Sequence, residues 1–227
     1  MIERKDTIPL SPVTRQNRSA AWWGLASSAG VLYFITAVVI LHPLRPDLNP
    51  VTHAVSNYAV GSFGLLMTSA FFMLAMSEFA LAQGLVRSLA RSGKAWASVL
   101  LLHLAAAGLI VTGLFHSDVD VPRPPASPGA LVHWIGAGIS FLSLMIAIFL
   151  LSSCFKRDTR WQPVYRLSYS WGIAIVLALA TYGVLAIVGW TGIGERIYIA
   201  ISVLWLLLVS LRLRSIALAE KAKVPVQ

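Results

Sequence analysis

Six apolar runs, each long enough to cross a membrane, follow one another with only short polar links between them. They fall at 20–42, 62–85, 95–115, 129–155, 168–190 and 197–213. A helix needs roughly 20 residues to cross about 30 Å of hydrocarbon. Within lipid every backbone N–H and C=O must find its partner inside the protein, so only helices and closed barrels can span. These runs lack the in–out alternation of barrel strands, which leaves helices. The expected fold is therefore all-α, a polytopic membrane protein with six transmembrane helices over 20–215. A flexible basic arm at 1–19 and a basic tail at 216–227 flank it. The first run ends at Pro43 and Pro46 with no small-residue cleavage site, so it reads as a span, not as a cleaved leader.

Charge supplies the orientation. Charged residues make up 12% of the chain and hydrophobic residues 57%, with a mean hydropathy of +0.75. A soluble domain carries about 25% charged residues. The net charge of +9 could point to nucleic acid, but the basic residues sit in the links between spans, which excludes that partner. Of 18 Lys and Arg, four lie in 1–19, three in 86–95, four in 156–167 and four beyond 211. The other side of the membrane receives Arg45, Arg123 and Arg196. This positive-inside bias places both termini in the cytosol. Cys154 is the sole cysteine, so no disulfide forms within the chain, and it reads as a packing residue. Trp96, Trp134, Trp161 and Trp190 fall at the expected interfaces as anchors.

The residues that bear chemistry gather on the far side from the termini: His42, His53, His116, His133, Asp47, Asp118, Asp120 and Glu195. The stretch 115–138 is the densest. From His133, the residues Gly136, Ala137 and Ser140 lie at i+3, i+4 and i+7. Small residues mark the face that packs on other helices in a membrane, so His133 should point inward. His116 and Asp118 end the preceding span. Asp118, His133 and His116 can thus form an outward-opening centre. Zinc suits such nitrogen and oxygen donors. Without a metal, Asp118 and His133 could act as acid and base, with Ser56 and His116 assisting. The same residues also read structurally, with Asp118 capping its loop and His133 bonding a backbone carbonyl.

Asn49-Pro50 reads as a helix start, which sets His53, Ser56 and Asn57 on one helical face. Glu195 and Arg196 lie in an expected turn at 191–196. Arg196 could bind an anionic head group, with Glu195, His53 and Asn57 completing a substrate site; otherwise Glu195 and Arg196 form a surface pair. Glu78 and His103 fall at matched depth, about 10–12 Å into neighbouring spans, and are expected to approach each other as an intramembrane polar pair.

Several short motifs carry a resemblance. They are Pro-Val-x-x-x-Val-Ser-Asn-Tyr at 50–58, Gly61-x-x-Gly64, Phe115-x-x-Asp118, Gly129-x-x-x-His133 and a late Glu195-Arg196 after Gly192. On these the chain resembles the bacterial membrane family known as domain of unknown function 998. That resemblance implies a six-helix protein of the bacterial cytoplasmic membrane and no particular reaction. A more distant likeness is to the alkaline ceramidases and adiponectin receptors, membrane hydrolases with a histidine-held zinc. Ser56, Asp118 and His133 look like part of such a set, but spans 5 and 6 lack the paired late histidines. Three functions follow. One is an enzyme on a lipid or lipid-like substrate, metal-dependent or acid/base. Another is a small transporter or binder of a lipid or small hydrophobic ligand. The last is a structural subunit without catalysis. A pocket joining Asp118, His133 and Ser56 would favour the first, and a polar path from Asp118 to Glu78 the second.

Overall fold

The computed structural model describes residues 12–119 and 125–222. Six helices follow in order: α1 Pro12–Leu44, α2 Gly64–Ser88, α3 Gly93–Leu114, α4 Pro128–Phe155, α5 Gln162–Ile187 and α6 Thr191–Ala222. A short 3-10 turn, Val55–Ala59, stands between α1 and α2. All six helices contain a stretch long and apolar enough to cross a membrane. Residues 45–63, 115–119, 125–127 and 188–190 share one end of the bundle, called here the loop end. Residues 89–92 and 156–161 lie at the other, the basic end.

Helix α1 begins at Pro12, within the stretch read as an arm, where proline's fixed φ suits a first turn. Helix α6 continues to Ala222, within the stretch read as a tail. The expected turn at 191–196 is helical and opens α6; the chain reverses earlier, at Gly189, whose φ of 80° favours glycine. Asp120 lies outside the described residues.

Hydroxyl and glycine contacts hold the helices together, as expected where lipid removes any hydrophobic drive between them. At α3–α4, a Cβ on Gly108 would collide with the Gly136 carbonyl and with Ser140, so the two backbones touch. Ser27 Oγ lies 3.1 Å from Ser77 Oγ and 2.6 Å from Ser210 Oγ, tying α1, α2 and α6 together. Ser168 Oγ lies 2.7 Å from Ser152 Oγ and accepts from Trp205 Nε1 at 2.9 Å, tying α4, α5 and α6. Helix α5 packs extensively only against α4 and α6. Of its most apolar stretch 17% is buried, against 44–56% for the other five.

The basic end is knitted by Arg160. It grips Asp158 through Nε at 3.0 Å and Nη2 at 2.7 Å, reaches Glu220 at 2.7 Å and donates to the Ser88 carbonyl at 2.5 Å. Arg212 of α6 donates to the Arg160 carbonyl. Burial pushes the Asp158 carboxyl up, but the hydrogen bonds and charge of Arg160 prevail and leave it below the usual range. Beside it Trp161 is fully buried, not an interfacial anchor. It stacks on Phe155 at 4.5 Å and donates its indole N–H to Ser88 Oγ at 3.2 Å. Trp96, Trp134 and Trp190 keep exposed rings.

Candidate functional site

The site is built at the loop end by a lid, residues 45–63, folded over the mouths of α2, α3 and α6. Asn49 does start a turn there: its Oδ1 accepts from Val51 N at 2.8 Å and its carbonyl from His53 N at 2.9 Å. The turn does not continue as a helix, because Ala54 is extended, with ψ at 154°. The 3-10 turn begins only at Val55, so His53 does not share a helical face with Ser56 and Asn57.

Two arginines pin the lid. Arg45 holds Asp47 through Nε at 2.9 Å and Nη2 at 2.7 Å, and donates Nη1 to Val60 O at 2.6 Å and Ser62 O at 3.1 Å. These bonds keep the Asp47 carboxyl below its usual range. Arg196, at the start of α6, donates Nη1 to the carbonyls of Pro50 at 3.0 Å, His53 at 2.8 Å and Gly192 at 3.0 Å. Its Nη2 reaches Tyr58 Oη at 3.1 Å and its Nε reaches His42 Nε2 at 3.2 Å. The adjacent Glu195 accepts Val55 N on Oε2 at 2.6 Å. Arg196, read from sequence either as a head-group binder or as half of a surface pair with Glu195, fastens the lid to α6, and Glu195 is buried.

Beside the lid lies an open cleft of about 690 Å³, lined by His53, Ser56, Asn57, Asp118, Trp134 and the end of α5. Below it a small internal cavity of about 40 Å³ is lined by Glu78, His133, Ser140, Glu195, Tyr198 and again Ser56. Ser56 belongs to both walls. Asn57 closes the seam between lid and α3, donating Nδ2 to Ser117 Oγ at 3.0 Å.

The expected metal and acid/base set is divided between these spaces. Asp118 lines the cleft, His133 lines the cavity, and the exposed His116 lines neither. Asp118 Oδ2 accepts the backbone N–H of Ala126 at 2.9 Å and Ser127 at 3.1 Å, and Oδ1 accepts the Ser127 hydroxyl at 2.7 Å. The Ser127 hydroxyl first, and these amides with it, hold the Asp118 carboxyl below the usual range. Asp118 thereby fixes Ser127, whose Oγ caps α4 by accepting Ala130 N at 3.1 Å. His133 is 3% exposed. Its Nδ1 donates to Phe115 O at 2.8 Å and Thr112 O at 3.1 Å, which satisfies carbonyls left over at the end of α3. Nδ1 carries the proton, so Nε2 is the basic nitrogen. Among the described residues no three His, Cys, Asp or Glu come together as metal ligands.

Glu78 and His103 do not pair. His103 turns both nitrogens elsewhere: Nδ1 donates to Val99 O at 2.7 Å, and Nε2 accepts the Gln83 amide at 3.2 Å. Its ring meets Phe79 at 5.3 Å. Matched depth does not ensure matched direction: Phe79 and Gln83 lie on a different face of α2 from Glu78. Glu78 faces the cavity instead, 1% exposed, and its Oε2 has no hydrogen-bond partner among the described residues.

Tyr198 and Ser202 escaped the sequence reading. Their signal was present: from Glu195 they stand at i+3 and i+7, one face of a helix, once α6 is started at Thr191. Tyr198 donates its hydroxyl to Phe141 O at 2.7 Å and lays its ring 4.2 Å from that of Phe141.

Six spanning helices with an ionisable residue buried among them define a multi-pass integral membrane protein with a small, mostly apolar internal cavity onto which the Glu78 carboxyl faces. The chain belongs to the DUF998 family: residues 28–212 match the family described as Protein of unknown function (DUF998). That match contains every motif on which the resemblance rested. No curated protein and no solved structure matches the chain.

Proposed function

We propose that this protein is a small transporter or ligand-binding membrane protein. Its ligand enters the cleft at the loop end and exchanges with a proton at Glu78. One observation carries the reading: Ser56 lines both the cleft and the cavity that holds Glu78, so the two spaces share a wall at the lid. An ionisable residue inside a membrane is costly and, by default, functional. The positive-inside bias directs the cleft away from the cytosol. The enzyme reading has less support, because Asp118 and His133 open into different spaces and the Asp118 oxygens already hold the α4 cap.

Thiol accessibility tests the path. In a Cys154→Ser background, Ser56→Cys should react with a membrane-impermeant thiosulfonate added from the cleft side. Glu78→Cys should react more slowly, with small reagents only, and a bulky adduct at Ser56→Cys in the double variant should block it. A Glu78→Cys thiol that stays inert while Ser56→Cys reacts would end this reading.

A further inference from the structure

We infer that the ligand of this cavity is a small primary ammonium ion, bound by the Glu78 carboxylate in place of a proton. The inference rests on the two-chamber reading above and adds the chemical class of the ligand.

Charge distribution is the first support. The chain has a net charge of +9, yet among the described residues no Lys or Arg lines either the cleft or the cavity. Three carboxylates do: Asp118 in the cleft, and Glu195 and Glu78 in the cavity. The nearby Arg45 and Arg196 turn their N–H groups onto carbonyls, Asp47, His42 and Tyr58. The other titratable groups on these walls are His53 in the cleft, and His133 and Tyr198 in the cavity, so carboxylates outnumber histidines and the described route is acidic within a basic protein, which disfavours an anion.

The second support is Glu78 itself. Asp118 and Glu195 accept hydrogen bonds from the protein's own backbone. Glu78 Oε2 accepts none, although Glu78 is 1% exposed. A carboxylate held unpaired in such surroundings is costly, so it is neutralised by a proton or by a cation. The walls say which cation. Phe34, Phe71, Phe141 and Tyr198 contribute ring surface, which attracts ammonium groups. An alkali ion stripped of water needs several oxygens. Here the wall is almost entirely hydrocarbon and aromatic carbon, which suits an ammonium ion with a short apolar tail better than a bare metal ion. A volume of about 40 Å³ holds only about three waters. The ligand, or the part that enters, must be comparably small.

The proton balance is explicit. An empty cavity keeps a proton on Glu78. When the ammonium enters, Glu78 ionises, the N–H groups donate to Oε1 and Oε2, and one proton leaves. One cation is taken up for each proton released.

Ethylammonium is the probe. Calorimetric titration of the purified protein in two buffers of different ionisation enthalpy should show binding with release of one proton. Acetate should not bind, and Glu78→Gln should weaken ethylammonium about tenfold to a hundredfold. A second measurement needs no variant: an apolar carbodiimide should modify the protonated Glu78 of the wild type, and ethylammonium should protect it. Protection by sodium alone, binding of acetate, or unchanged affinity in Glu78→Gln would each overturn the assignment. If ethylammonium fails to bind while thiols at 56 and 78 still react in sequence, the ligand class falls and the two-chamber reading stands. If the thiol at 78 is inert, both fall.

Discussion

Arg160 knits the basic end of the bundle and Arg196 fastens the lid to α6 at the loop end, and the two do it differently. At the basic end Arg160 binds two carboxylates, Asp158 and Glu220, as well as the Ser88 carbonyl. At the loop end Arg196 binds neutral acceptors: three carbonyls, a tyrosine hydroxyl and an imidazole nitrogen. The first is an ion-pair clasp on a surface open to water. The second is a geometric clasp, in which one planar guanidinium reaches acceptors on the lid at Pro50, His53 and Tyr58, on α1 at His42 and on α6 at Gly192. The difference shows where carboxylates are used. At the basic end they neutralise; at the loop end, Asp47 excepted, they are left to line the cleft and cavity.

The sharpest way to break this comparison is Arg196→Ala. It strands several acceptors at once, and we expect a loss of about 3 kcal/mol. Lysine at 196 should not restore it, since a point charge cannot reproduce the fork. Thermal unfolding in detergent reads the loss, and limited proteolysis near residues 45–63 should show that it starts in the lid. Next is Arg160→Ala, with an expected loss of about 1 kcal/mol because the pair is partly exposed. Raising the salt should shrink the gap between Arg160→Ala and wild type but not that for Arg196→Ala. Equal salt dependence would dissolve the distinction.

Acid sharpens the comparison further. Asp118 is held below the usual range, so its stabilising bonds are fully present above the unfolded value, near about pH 4. They are lost as the pH falls through the lower folded value. Asp118→Asn should flatten that part of the stability profile and leave thiol reactivity at Glu78→Cys unchanged. A change in that reactivity would place Asp118 in the ligand path. The smallest effect is expected midway between the ends: Ser27→Ala, which removes the α1–α2–α6 hydroxyl contact, should cost about 0.6 kcal/mol, and differential scanning calorimetry would detect a larger role.

Much of this was readable in the chain. Apolar length and the absence of alternation yielded the six spans, because a bilayer demands both. The small residues at 136, 137 and 140 set His133 on a packed face, since helical period alone fixes that. What failed did so for physical reasons. Glu78 and His103 were matched by depth, but pairing needs direction as well, and Gln83 was nearer to hand. Residues 191–196 look like a turn because two glycines and a threonine mark turns; packing against the lid makes them helix. The clasp of Arg196 joins residues about 140 positions apart, and nothing local in the sequence announces such a contact.

The end of α5 forms one wall of the cleft, at Gly183, Ala186 and Ile187, continued by Gly189 in the turn that follows. Helix α5 has 26 residues, about 39 Å at 1.5 Å per residue, and little of it is held by the rest of the protein. That exceeds a typical hydrocarbon thickness of about 30 Å, and a long helix with few neighbours meets such a mismatch by leaning. A change in membrane thickness is therefore expected to move this wall, and with it the width of the entrance. Thinner bilayers of short-chain lipid should alter the emission of a tryptophan kept at position 134, with the other seven replaced by phenylalanine. The surrounding lipid would then be a determinant of access as much as any side chain.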